Sequence, residues 1–305
     1  VDHRTVFRYT DRDITESSGL AVRGGLFFTV NDSGAGPVLY AVDPRSGDTV
    51  GTTTYSEGDV SDVEAVAPGP GGVVWVGDIG DNDADRPSVD VNRVPVRQPR
   101  GERALDADRY ALVYPDGPHD AETLLVHPRT GRVYVVSKRI VGATVYAAPA
   151  TLRRGTVNRL APLGHVPGLV TDGAFFPDGK HIVLRSYGGA AVYTFPELRE
   201  VGDLDLPRQE QGEAIAVDRT GAVFVGTEGV YTDVLEILLP APLRAALDGD
   251  LPTALPSAEP RPANPVSEPT GEDEDWLWVT GGILLVALAG WLVLRASRPR
   301  SPHSR

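Results

Sequence analysis

A fivefold recurrence limits what this chain can fold into. Short apolar runs, each opened by a carboxylate, return as Glu16-Ser-Ser-Gly-Leu-Ala, Asp62-Val-Glu64-Ala-Val-Ala, Asp120-Ala-Glu122-Thr-Leu-Leu, Thr171-Asp172-Gly-Ala-Phe-Phe and Gly212-Glu213-Ala-Ile-Ala-Val. Each run meets a turn, such as Arg23-Gly-Gly, Pro68-Gly-Pro-Gly-Gly or Asp218-Arg-Thr-Gly, and then a second apolar run, clearest in Val73-Val-Trp-Val and Val133-Tyr-Val-Val. The anchors Glu16, Glu64, Glu122, Asp172 and Glu213 lie 48, 58, 50 and 41 residues apart. That is the period of a β-propeller blade and not of a helical solenoid.

The expected fold is therefore all-β, a five-bladed propeller with four strands in each blade. A six-bladed ring is the alternative, because the stretch from Pro95 to Tyr110 has room for another strand, although no sixth anchor carboxylate exists. Blade five supplies only three strands of its own. The N-terminal run Thr5–Tyr9 is expected to be its fourth, which would close the ring and remove two exposed sheet edges.

The C-terminal end has a different composition. Residues 242–275 read as a short helix, Pro242-Leu-Arg-Ala-Ala-Leu-Asp-Gly249, followed by a stalk with six prolines between Leu251 and Asp275. Trp276 to Leu294 is an uncharged run of 19 residues, close to the roughly 20 that cross a bilayer as a helix. Acidic Glu272-Asp-Glu-Asp275 precedes it, and the tail 295–305 carries four arginines and no acid. By the positive-inside rule, residues 1–241 form an extracellular propeller and the tail is cytoplasmic. Such a single-pass topology implies that a signal peptide has been removed ahead of Val1.

Charge narrows the partners. Taking the four tail arginines from the 29 basic residues leaves 25 against 42 acids outside the membrane, so nucleic acid is excluded as a partner and cations are favoured. With no cysteine, neither disulfides nor thiolate-ligated metals are available.

In a propeller, loops entering the innermost strand and loops leaving the second strand open on one face. Here that face collects Glu16, Asp62, Glu64, Asp120, Glu122, Asp172 and Glu213 from the entering loops, and Asn31-Asp32-Ser33, Asp78, Asp81 and Lys138 from the leaving ones. So many acids around one opening repel each other unless a cation, a proton or an arginine compensates. Oxygen-only ligands suit a hard ion, and calcium is the expected cofactor, with Glu16, Glu64, Asp78, Asp81, Glu122, Asp172 and Glu213 as candidate ligands. The alternative is that these acids cap strand ends and hold loops through backbone N–H groups. The Gly77–Asp85 segment is open to the same two readings, since it lacks the EF-hand spacing. His119, Lys138 and Arg185 are the candidate catalytic groups, with a surface-turn role as the alternative for His119.

The strand openings Glu64-Ala-Val-Ala, Glu122-Thr-Leu-Leu, Glu213-Ala-Ile-Ala and Glu16-Ser-Ser-Gly-Leu-Ala resemble those of β-propeller proteins of the phytase-like, or "esterase-like activity of phytase", type, over about Thr5 to Pro240. The resemblance implies a calcium-loaded acidic face and, in true propeller phytases, hydrolysis of phosphate esters. This chain departs from that pattern at Asp172-Gly and offers only Lys138, Arg139 and Arg185 as phosphate clamps. The expectation is a membrane-anchored, extracytoplasmic module that binds an extracellular ligand or an envelope protein through a cation-loaded face. A calcium-dependent phosphoester or ester hydrolase is the alternative.

Overall fold

The computed structural model describes residues 2–32, 36–56, 58 and 60–249. The chain opens with β1 (His3–Arg8) and continues through β2 (Ser17–Arg23), β3 (Leu26–Asn31), β4 (Val38–Asp43) and β5 (Asp48–Thr54). Next come β6 (Val63–Gly69), β7 (Val73–Asp78), β8 (Val89–Pro95), β9 (Gly101–Ala104) and β10 (Asp108–Val113). Blade three is built from β11 (Ala121–Val126), β12 (Val133–Ser137), β13 (Ala143–Ala147) and β15 (Ala161–Val166), with the two-residue β14 (Asn158–Arg159) between its last two strands in sequence. Blade four uses β16 (Val170–Phe175), β17 (His181–Ser186), β18 (Gly189–Thr194) and β19 (Glu200–Leu204). The last blade uses β20 (Ile215–Val217), β21 (Val223–Val225) and β22 (Asp233–Ile237).

Five sheets result, each a meander whose first strand lies at the axis, and β2, β6, β11, β16 and β20 pack in succession with β20 back against β2. The ring has five blades. It closes as expected, because β1 pairs antiparallel with β22 from His3↔Ile237 to Arg8↔Asp233. An extra strand does lie between Pro95 and Tyr110, but it founds no sixth blade. Instead β9 runs parallel to β5 and widens blade one to five strands, while β14 does the same for blade two against β10.

The apolar runs bury both faces because each sheet stands between two others. Successive side chains of a strand point to opposite faces. Thus Val73 and Trp75 enter the gap toward blade three, and Val74 and Val76 the gap toward blade one. Five apolar clusters fill the five gaps between blades.

After β22 the chain forms α1 (Ala241–Asp248), with proline in its first turn and Gly249 at φ 81° closing its C-terminus in the left-handed conformation that glycine adopts freely. Leu243 plugs the gap between blades four and five. Among the described residues no helix is long and apolar enough to cross a membrane. The stalk beyond Asp250, the 276–294 segment and the basic tail lie outside the described residues.

Candidate functional site

Strand pairing reveals an order that charge alone hides. Four of the five innermost strands carry a β-bulge near their start, at Ser18, Glu64, Glu122 and Thr171, where one residue is skipped in the pairing with the second strand. The matching position in blade five is Glu213, since Thr171 Oγ1 donates to Glu213 O at 3.0 Å just as Ser18 Oγ donates to Glu64 O at 3.1 Å. The equivalent set is therefore Ser18, Glu64, Glu122, Thr171 and Glu213, three carboxylates and two hydroxyls. Bulges re-aim a side chain, and here those of Ser18 and Thr171 are turned onto the backbone of the next blade.

Asp172 falls one residue past its bulge. It is 0% exposed, and its carboxylate accepts from Gly173 N at 2.7 Å and from Ile215 N of the next blade at 2.8 Å. Arg185 is paired opposite it in the ladder and is 2% exposed, donating to Ala214 O, Gly226 O and Gln209 Oε1. Burial pulls its guanidinium down to about 10, against the opposing charges of Asp172 and Glu213. This pair ties blade four to blade five.

Asp78 and Asp81 are also bound inward. Asp78 accepts from Ser61 N and Asp62 N, the task that Asn31 performs for Thr15 N and Glu16 N one blade earlier, and it pairs with Arg86 at 2.8 Å. Asp81 accepts from Asp85 N and Arg86 N and so closes its own loop. His119 lies beside Asp116, stacked on Tyr146 and edge-on to Tyr114, in the packing between blades two and three. Glu16 is exposed, its backbone N–H held by Asn31.

Three carboxylates do converge. One oxygen each from Asp32, Asp62 and Glu64 lies within 4.8 Å of the others. Asp32 leaves β3, Asp62 precedes β6 and Glu64 occupies its bulge, so the group forms only when blades one and two come together. Gly80 makes room for it: a Cβ there would stand 2.4 Å from Asp62 Oδ2 and 2.8 Å from Glu64 Oε1. Beside the group, Glu122 is buried and its Oε2 has no hydrogen-bond partner among the described residues.

Electrostatics mark this mouth as strained. Burial first, then Asp32, Glu122, Asp62 and Asp120, push Glu64 up to about 10. Asp62 is raised by burial and by Asp32 and Asp120. Glu122 rises to about 7 through burial although Lys138 opposes the shift, and Glu228 to about 8 through burial and its contact with Glu213. A compensating cation already stands at one side. The Lys138 ammonium contacts the Glu122 carboxylate and donates to Tyr187 Oη at 3.1 Å, while Tyr187 reaches Glu213 at 3.3 Å. Burial disfavours the charged lysine, but Glu122 overrides it and the Lys138 pKa lies above its ordinary value.

The residues fit a hard divalent ion: three convergent carboxylate oxygens, a neighbouring acid with a spare buried oxygen, and no soft donor. Of the candidate ligands read from sequence, Glu64 belongs to the convergent group, Glu122 and Glu213 line the mouth next to it, and Glu16, Asp78, Asp81 and Asp172 are not part of it. Asp32 and Asp62 complete the group. Both stand in the loops that the propeller geometry assigns to this face, yet only the contact between blades singles them out.

No family model matches the chain, and no curated protein matches it either. Two solved structures align with the chain. Glutaminyl cyclase of Myxococcus xanthus aligns at 14% identity over 78% of this chain and 97% of that one, with a TM-score of 0.49. Hydrazine synthase of Kuenenia stuttgartiensis aligns at 13% identity over 69% of this chain and 61% of that one, with a TM-score of 0.38.

Proposed function

We propose that the propeller is an extracytoplasmic binding module whose carboxylate mouth takes a hard divalent cation, calcium being the expected ion, and whose loaded face receives a ligand or partner protein. The observation that carries this reading is the meeting of Asp32, Asp62 and Glu64 across two blades, with glycine at 80 leaving space for them. These groups would hold the ion, with water and neighbouring oxygens completing the six to eight ligands that calcium takes. The surroundings support a partner-binding face. Ile140 and Val141 are 82% and 83% exposed on the loop after β12, and exposed Leu169 and Tyr187 stand on the adjoining loops of blade four. Apolar side chains rimming a charged mouth are what a polypeptide partner would cover.

A calcium-dependent hydrolase of the phytase-like type is the second reading, favoured by Lys138 at the mouth. Of the three clamps read from sequence, Arg185 is enclosed between blades, which leaves Lys138 and the exposed Arg139 beside it.

Thermal melting with calcium or chelator tests the proposal. An ion at 100 times its Kd adds about 2.7 kcal/mol, on the order of 5–10 °C for a domain of this size. The variant Glu64→Gln keeps an acceptor for Ser18 and removes one ligand charge. It should lose the calcium response while melting no lower than the parent in chelator. Glu122 is the poorer target, since its removal strands Lys138. No shift of the parent in millimolar calcium would sink both readings; turnover of phosphomonoesters or carboxylic esters by the loaded protein would favour the second.

A further inference from the structure

The opposite end of the ring axis holds a cavity of about 790 Å3, within the roughly 300–1,000 Å3 range of small-molecule sites. It is lined from every blade, by Leu20, Val66, Leu124, Ala174 and Val217 of the innermost strands. Its rim comes from the turns that join first to second strands. Three blades place proline there, as Pro68, Pro70, Pro128 and Pro177, which gives a rim with fixed φ and few N–H donors. The two remaining turns, of blades one and five, bring Arg23 and Arg219. These blades are neighbours, so both cations stand on one side of the opening.

Neither arginine has a carboxylate partner among the described residues. Arg23 is half-buried and makes one bond, to Gly69 O at 2.6 Å. Burial lowers its pKa, the sign of a cation short of counter-charge. Arg219 is exposed. The acid beside it, Asp218, is engaged in closing its own turn, accepting from Thr220 N, Thr220 Oγ1 and Ala222 N. The two ends of the ring axis thus differ in kind: a cluster of carboxylates at one, an apolar bowl with an arginine pair at the other.

We propose that this bowl is a second binding site, for an amphiphile with an apolar body and a single anionic group, such as a fatty-acid-type carboxylate. The body would lie against the innermost strands and the prolines, and the anion on Arg23 and Arg219. A guanidinium offers planar, paired donors suited to a carboxylate. Most of the affinity would come from removing the chain from water, with the arginines selecting the headgroup.

Calorimetric titration below the micellar concentration, with dodecanoate, dodecanol and dodecyltrimethylammonium, tests this. Dodecanoate should bind at one saturable site, dodecanol at least tenfold more weakly, and the cationic amphiphile not at this end. From octanoate through decanoate to dodecanoate, affinity should rise about three- to fourfold per methylene. Arg219→Gln, which removes no hydrogen bond or ion pair among the described residues, should bring dodecanoate toward dodecanol, and adding Arg23→Gln should complete the loss. Glu64→Gln and chelator should leave the binding unchanged, which separates this site from the calcium site. Unsaturable binding, equal affinity for carboxylate and alcohol, or tightest binding of the cationic amphiphile would overturn the proposal.

Discussion

Two buried acids with raised pKa values, Glu64 and Asp172, illustrate opposite uses of one side chain. Asp172 has both oxygens occupied by backbone N–H groups, which oppose the burial that raises its pKa well above the ordinary value. Replacing it by Asn turns a donor toward a donor. That should cost about 1–3 kcal/mol without altering any calcium response. Glu64 faces other carboxylates, and its folded pKa near 10 lies far above that of an unfolded chain. In chelator the folded state keeps protons that the unfolded state has released, on Glu64 up to about 10, on Glu228 up to about 8 and on Glu122 up to about 7. Unfolding then releases protons, so stability must fall as pH rises above the ordinary carboxylate range. The metal-free protein should melt higher at pH 5 than at pH 8, and Glu64→Gln should flatten that slope. A melting temperature that rises over the same interval in chelator would show that the mouth is not the source of the strain.

At the level of elements, β1 is the strand on which closure depends. It covers the outer edge of β22, adds the ion pairs Arg4–Glu236 and Arg8–Asp233, and leads into Tyr9, while its Phe7 packs edge-on to Phe27, which in turn meets Phe224. Burial of Phe7 and Tyr9 alone is worth about 1.5–3 kcal/mol each, against a total of about 5–15 for a whole domain. Deleting residues 1–10 should therefore lower the melting temperature drastically or abolish cooperative unfolding by circular dichroism; a truncation that melts with the parent would refute ring closure. This strand was legible in the sequence because blade five supplies only three strands of its own and an unpaired edge needs a partner. By contrast, β9 is a wholly exposed Gly-Glu-Arg-Ala, and β14 has two residues. Both are held on outer edges by main-chain pairing that leaves no mark on side-chain pattern. The same limit explains the site. Matching carboxylates by charge aligned Asp172 with Glu64, whereas pairing aligns Thr171, and a one-residue shift moves a side chain from mouth to interior. The convergence of Asp32 with Asp62 and Glu64 depends on contact between blades, which no local pattern encodes.

The whole molecule adds the question of where the propeller works. Its ring has one acidic end and one apolar, arginine-bearing end, so two ligands of opposite character could be held at once without competing. The calcium proposed for the mouth is available outside a cell at levels that a site built from half-buried and buried carboxylates can use. That matches the topology expected from the 19 uncharged residues at 276–294, the acidic approach at 272–275 and the four arginines beyond. The segment Glu268-Pro-Thr-Gly271 lacks the Leu-Pro-x-Thr-Gly pattern of a wall-sorting signal, so the helix is expected to be retained. Protease added to intact cells should then release the propeller at the proline-rich stalk and leave the basic tail protected inside. Antibodies to the two ends would read this directly, the propeller lost from the cell fraction and the tail kept. Recovery of a mature chain joined covalently to the wall and ending near Thr270, or protection of the propeller in intact cells, would reverse the orientation or remove the anchor, and with it the argument that calcium reaches the mouth from outside.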